Sequence, residues 1–239
     1  MRFNLFAVPE NKQFGIRYFS QNAGDRFDQW RQNKKVFIAC AGAFSSTWEA
    51  DSKPVGFTVD NGEIINLNFD FEMDGLVIIE NSSISVIDLD YLQAGIDLED
   101  GQKISMNPRN SSFDCEKLKR IAKEEKSTIF QTQLLYSIDR STNFSNPYFG
   151  KIRERRFLAV CKKKNEFINV IVDAPDPTYL NLSAKYAKDV LEYDGYKIFY
   201  LLNLDTGDKN IFWGIENDKL YDLGTTTMNK STNLIVWYQ

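Results

Sequence analysis

Apolar residues fall along this chain in short runs, each closed off by Asn, Asp, Gly or Ser. Runs of that length with β-branched and aromatic residues predict strands rather than helices. The predicted strands are "KVFIA" from Lys35, "VGFTV" from Val55, "GLVII" from Gly75, "ISVI" from Ile84, "RFLAVC" from Arg156, "FINVIV" from Phe167, "KIFYLL" from Lys197 and "NLIVWY" from Asn233. Asp60, Asn61 and Gly62 in "VDNGEII" give a hairpin signal, and Asp60 is read there as a turn residue without chemistry. Lys162 to Lys164, followed by Asn165, read as a solvated hairpin turn.

The period changes in two places. In "SSFDCEKLKRIAKEEK", Ser111 and Asp114 have capping-box spacing, and Leu118, Ile121 and Ala122 form a narrow apolar stripe on a charged helix. In "NLSAKYAKDVLEYDG", Ser183 is the expected N-cap, Ala184, Ala187, Val190 and Leu191 share a face, and Gly195 is the stop. The pattern predicts one α+β domain over residues 1–239, a mixed, largely antiparallel β-sheet core with two main helices. The polar stretch from Asp97 to Ser112 is the place where two halves would separate.

Composition narrows the chemistry. With 43% hydrophobic residues a sizeable core is available. The formal charge of −4 gives no general attraction to nucleic acid or anionic membrane, so neither partner is expected. No run approaches the roughly 18 apolar residues that span a bilayer, and "MRFNLFAVPENKQ" lacks the apolar core of a signal peptide. The expectation is a soluble chain, cytoplasmic as synthesised. Histidine is absent, which excludes Ser-His-Asp and Cys-His nucleophilic systems and histidine-based zinc sites. Proton transfer would fall to Asp, Glu, Tyr, Lys or Cys. Cys40, Cys115 and Cys161 are odd in number and widely spaced, as structural thiols rather than a metal clip or disulfide framework would be. No cofactor and no metal are expected.

The segment "YLLNLDTGDKNIF", from Tyr200, sets Asp-Thr-Gly after an apolar run, the triplet of aspartic proteases. Such a site needs two facing carboxylates from two loops or two subunits. The near-copy "DLGT" begins at Asp222, too close to Asp205 to belong to a second lobe, and a helix leads directly into the strand. A protease is therefore not the reading.

Helix, buried strand and then Asn-Leu-Asp-Thr-Gly-Asp is instead similar to the helix-strand unit of the phosphodiester glycosidase family, which ends in Leu-Asp-Gly-Gly-Gly-Ser. Leu204, Asp205 and Gly207 match, with Thr206 and Asp208 in place of glycines. "ACAGAF" from Ala39 resembles the family's Asn-Ala-Gly-x-Phe turn, with Cys40 for Asn. "PVGFTVDNGEIIN" from Pro54 resembles its Pro-x-Gly and Asn-Gly elements. "FQTQLL" from Phe130 resembles the segment ending Gly-Pro-Leu-Leu, with Gln133 for Pro, and "RERRFLAV" from Arg153 resembles its Arg-x-Ala-hydrophobic-Gly strand. These segments keep the family's order from about Val36 to Phe212. Glycines at 206 and 208 would let backbone approach a substrate closely. Thr206 and Asp208 fill that space, and the Asp208 carboxylate would repel a phosphate unless a cation or arginine intervened.

The resemblance implies a carboxylate-centred hydrolase acting on a glycan or sugar phosphodiester. Asp205, Asp208 and Arg156 are its catalytic candidates. Gln131, Thr132, Asn203, Thr206, Gly207, Arg155 and Trp48 are its substrate-binding candidates. Neutral amides and hydroxyls orient sugar hydroxyls without the desolvation cost of a charge, and Trp48 or Trp213 offers a flat face for stacking. Asp205 and Asp208 stand close enough for like-charge repulsion to leave one protonated. Arg155 and Arg156 open a strand, so only one of them can face a given cleft. The alternatives are a solvated turn around Asp205, a surface ion pair at the arginines, and a noncatalytic binding or assembly module of the same fold with protein partners, such as a bacterial surface or phage particle component.

Overall fold

The structure is a computed structural model that describes the chain apart from residues 48, 50, 92–94, 98–102, 141–143, 145, 207–209, 217, 218 and 225–227; for 95–97, 103, 104, 216, 219–221 and 229 only the backbone is described. The strands are β1 (Asn4–Pro9), β2 (Gly15–Phe19), β3 (Val36–Cys40), β4 (Thr58–Asp60), β5 (Glu63–Asn66), β6 (Gly75–Glu80), β7 (Ser83–Asp88), β8 (Gly95–Asp97), β9 (Lys103–Ser105), β10 (Thr128–Ser137), β11 (Arg153–Lys163), β12 (Glu166–Thr178), β13 (Lys197–Leu204), β14 (Phe212–Glu216), β15 (Lys219–Asp222) and β16 (Leu234–Tyr238). The helices are α1 (Ala23–Trp30), α2 (Ser112–Glu124) and α3 (Leu180–Tyr193).

Two sheets carry the fold. The larger runs β1-β12-β11-β13-β10-β4-β5, with β6 and β7 branching from β10; the smaller runs β15-β14-β3-β16-β2. Pairing is antiparallel throughout, as in β11 with β12 and β13, so this is an α+β fold built on largely antiparallel sheets. The long apolar run of β11 exists because both of its faces are covered. Leu158 and Val160 point into the core shared with Tyr18, Ile38, Phe212 and Trp237 of the smaller sheet. Phe157, Ala159 and Cys161 point the other way, against Ala184, Ala187 and Leu191 of α3. A strand covered on one side only would alternate with polar residues instead.

The helices follow local chemistry in part. Ser111 caps α2, its hydroxyl accepting from the Asp114 N–H at 3.2 Å, while the Asp114 carboxylate turns away to accept from the Asn107 N–H at 3.0 Å. Leu118 and Ala122 bury the expected stripe against Phe57, Leu76 and Ile129. The start of α3 corrects the sequence reading. The helix begins at Leu180, three residues before the expected cap, because its N-cap Tyr179 uses no side chain and Ser183 is buried inside the helix. Gly195 ends it at φ 85°. Helix α1 and strands β1, β2, β8, β9, β10, β14 and β15 were not among the predicted elements. "VGFTV" is strand only from Thr58, because Gly56 sits at φ 81° in a turn. The two hairpin signals hold, with positive φ at Asn61 and Gly62 and at Lys164 and Asn165.

Candidate functional site

β13 ends at Leu204, at one edge of the interlayer core, and three ties fix the residues that follow. The Asp205 N–H donates to the Gly42 carbonyl at 3.0 Å. The turn carrying Gly42 is itself clamped by Asn233, whose side-chain oxygen accepts from the Gly42 N–H at 3.1 Å and whose amide donates to the Ala43 carbonyl at 2.8 Å. A Cβ on Gly42 would stand 3.0 Å from the Tyr18 ring and 3.2 Å from Asn233 Oδ1, so the close approach calls for glycine. From the other side the Thr206 hydroxyl donates to the Glu154 carbonyl at 3.0 Å. Asp205 and Thr206 are each 9% exposed.

Arg156 supplies the third tie. Its side chain is wholly buried and fans out into a bond to Asp173 Oδ1, a bond to Asn210 Oδ1 and a bond to the Ile211 carbonyl, each 2.9 Å long. Its guanidinium lies 4.7 Å from the Phe212 ring centroid. Asn210 in turn donates to Glu154 Oε2 at 3.0 Å. Arginine suits this position because a planar fork can satisfy a carboxylate, an amide and a carbonyl together without leaving its charge unpaired. Arg156 thus anchors the segment that follows Asp205 to β11 and β12.

The remaining candidates separate by face. Arg155 points opposite to Arg156, toward the α3 side, where its Nη2 donates to the Lys151 carbonyl. Burial and the neighbouring Arg153 disfavour its charged form. The alternation read from the sequence is the geometry of the strand. Gln131 is wholly buried and its amide is fully engaged by backbone: Oε1 accepts from the Phe57 and Asp70 N–H groups at 2.7 and 3.0 Å, and Nε2 donates to the Asp70 and Met73 carbonyls at 3.1 and 2.8 Å. That is all a glutamine side chain offers. The Thr132 hydroxyl donates to the Asn203 carbonyl. The Asn203 amide donates to Gln133 Oε1 at 2.8 Å, and its Oδ1 is buried without a hydrogen-bond partner among the described residues. Asp208, Gly207 and Trp48 lie outside the described residues. Among the described residues no group of three or more potential metal ligands forms. The Cys40 thiol, where the resembling family has Asn, is pushed up to about 12 by burial and stays a neutral, inert group beside Arg156.

Glu154, Asp173, Asn210 and Asn233 were not singled out by sequence reasoning. Glu154 sits inside the quoted "RERRFLAV" and Asn210 inside "DTGDKNIF", but nothing in residue type or spacing says that they meet. Asp60, read as a turn residue, is 4% exposed and holds Arg17 at 3.1 Å and Arg26 at 3.0 Å, with the Ser20 N–H and hydroxyl also bonded to it. Arg140 bonds Asp88 through Nε at 2.6 Å and Asp74 through Nη2 at 2.5 Å, and burial raises the Asp74 carboxyl although Arg140 opposes the shift.

The structure thus defines an α+β fold built on largely antiparallel sheets. Solved structures share that fold. The catalytic domain of zebrafish N-acetylglucosamine-1-phosphodiester alpha-N-acetylglucosaminidase, auto-inhibited by its pro-peptide, superposes with a TM-score of 0.51 at 11% identity over 98% of this chain and 82% of that one. A hypothetical protein from Synechocystis gives a TM-score of 0.51 at 12% identity over 99% of this chain and 59% of that one. At such identities the likeness concerns the fold. No protein-family model matches the sequence, and no curated protein matches it. No helix among the described residues is long and apolar enough to cross a membrane.

Proposed function

We propose that this chain is a phosphodiester glycosidase-like hydrolase acting on a sugar or glycoconjugate, with Asp205 as the carboxylate that faces the anomeric centre. The observation that carries this reading is the fixed setting of Asp205 and Thr206 at the mouth of β13, tied to Gly42, Glu154 and the Arg156–Asp173–Asn210 cluster. A glycosidase needs such a carboxylate held in place, and a second one to share acid and nucleophile or base duties. Asp208 and Glu154 are the two candidates for that second role. Arg156 acts as a positioning residue for the loop, Asn203 and Thr206 stand at the end of β13, and Thr132 holds the Asn203 carbonyl. Gly207 stays a candidate from the sequence, while Arg155 and Gln131 are engaged elsewhere by backbone. Trp48 is the remaining sugar-stacking candidate.

Turnover of a panel of sugar phosphodiesters and aryl glycosides by the purified protein, beside Asp205→Asn, Glu154→Gln and Asp208→Asn, tests the proposal. Loss of a general acid or base lowers turnover by roughly 10²–10⁴-fold. Turnover that persists in folded Asp205→Asn sinks the assignment. The second reading, a noncatalytic binding or assembly module, is favoured by the engagement of Gln131 and Arg156 in internal bonds. Absence of turnover across the panel, with saturable glycan or protein binding by the same preparation, would select it.

A further inference from the structure

Trp213 follows the candidate loop in sequence, yet it faces away from it. Phe212 points into the interlayer core beneath Arg156, so the next residue on β14 must point to the opposite face of the smaller sheet, where Trp213 packs against the cluster of Phe27, Ala39 and Val236. There it lines a cavity of about 310 Å³ with Val36, Asp28, Arg31, Gln32 and Lys34. That volume is at the small end of ligand pockets, fit for a single ring and its substituents.

The lining is chemically sided. The indole and Val36 give one flat apolar wall. Arg31 is held ready by its own surroundings: Nε donates to Asp28 Oδ1 at 2.8 Å and the guanidinium sits 5.4 Å from the Phe27 ring centroid. Its terminal nitrogens make no hydrogen bond among the described residues. The Lys34 ammonium, 5.3 Å from the Tyr238 ring centroid, has no carboxylate partner among the described residues. Asp28 in the lining and Asp222, directly across the β14–β15 pair from Trp213, are the nearby carboxylates, so anion recognition here rests on the terminal nitrogens of Arg31 and on Lys34 rather than on a net excess of charge. A ligand matched to this site has one flat face for the indole, hydroxyls for Gln32 and Asp28, and an anionic group for the fork of Arg31.

We infer that the cavity beneath Trp213 is a second binding site, separate from the Asp205 mouth, for a pyranose bearing a carboxylate or phosphate. Calorimetric titration of the whole chain with a methyl hexuronide, a hexose 6-phosphate and a neutral methyl hexoside tests it. The acidic sugars should bind saturably and the neutral one about tenfold or more weakly, the difference an ion pair of about 1.4 kcal/mol makes. The stronger of the two acidic ligands identifies the anion. Arg31→Gln should remove the preference for acid, Trp213→Ala should abolish binding, and Asp205→Asn should leave it unchanged. Should Trp213→Ala melt early, Trp213→Phe and Arg31→Gln with Lys34→Gln carry the same test. No saturation by about 10 mM, corresponding to a free energy weaker than about −2.7 kcal/mol, overturns the inference. So does binding that Trp213→Phe and the double Gln variant leave intact, or that Asp205→Asn removes.

Discussion

Two buried carboxylates, Asp173 and Asp60, hold arginines under opposite conditions. Asp173 meets Arg156 where neither side chain reaches water: the two are 7% and 0% exposed. Asp60 is as deeply buried at 3%, but its two arginines, Arg17 and Arg26, are 23% and 40% exposed and lean on the Phe19 ring. In the first cluster the cation is trapped: Nη1 donates to the Ile211 carbonyl, Nη2 to Asp173 and Asn210, and Nε is buried with no hydrogen-bond partner among the described residues. In the second the cations can retreat into water. The difference teaches that a buried charge fixes geometry when its partner has no exit, and Arg156 fixes the segment after Asp205.

The largest expected effect is therefore at Arg156. Arg156→Met leaves Asp173 buried and unpaired and should cost about 3–5 kcal/mol of unfolding free energy, read by urea denaturation. Combining it with Asp173→Leu should restore most of that loss, since apolar replacement of a whole buried pair is near neutral. If the double variant keeps its stability but loses sugar turnover, the cluster serves the loop rather than the fold. Asp60→Asn should cost less, about 1–3 kcal/mol, because the released arginines hydrate; a loss equal to that of Arg156→Met would break the comparison.

Gly56→Ala comes next. Gly56 holds φ 81°, and a Cβ there would stand 2.4 Å from Gln131 Oε1, the atom that accepts from Phe57 and Asp70. Strain and loss of those bonds together should cost about 1–3 kcal/mol. The smallest effect concerns pH. Burial raises the Glu10 carboxyl above its ordinary 4.5, although the Ile84 N–H and the Asn169 amide work the other way. The native state keeps this proton where the unfolded chain has released it, so the contribution is fully present below pH 4.5 and fades as pH rises through the folded value. Glu10→Gln should flatten the fall in melting temperature over that window.

Legibility was uneven for physical reasons. β6, β7, β11, β12, β13 and β16 were readable because burial demands apolar side chains whatever the topology. α2 was readable because Ser111 makes a local bond that needs no tertiary context. β14 and β15 were not, since short strands made of ordinary residues become strands only when β3 is there to pair with. Among the site residues, Asp205 at a strand exit and the opposed faces of Arg155 and Arg156 were visible from period alone. That Gln131 bonds Asp70 and Met73, or that Asn210 joins Glu154 to Arg156, was not.

An α+β chain with a large core, without histidine chemistry, and with an acidic segment after a helix and a buried strand follows from composition and from neighbours in the chain. Which polar groups are consumed inside and which are presented at the surface follows only from the packed fold. Hydrogen-bond satisfaction depends on what stands within about 3 Å, and for Arg156 those atoms belong to residues 173, 210 and 211, which the chain does not bring together until its sheets have formed.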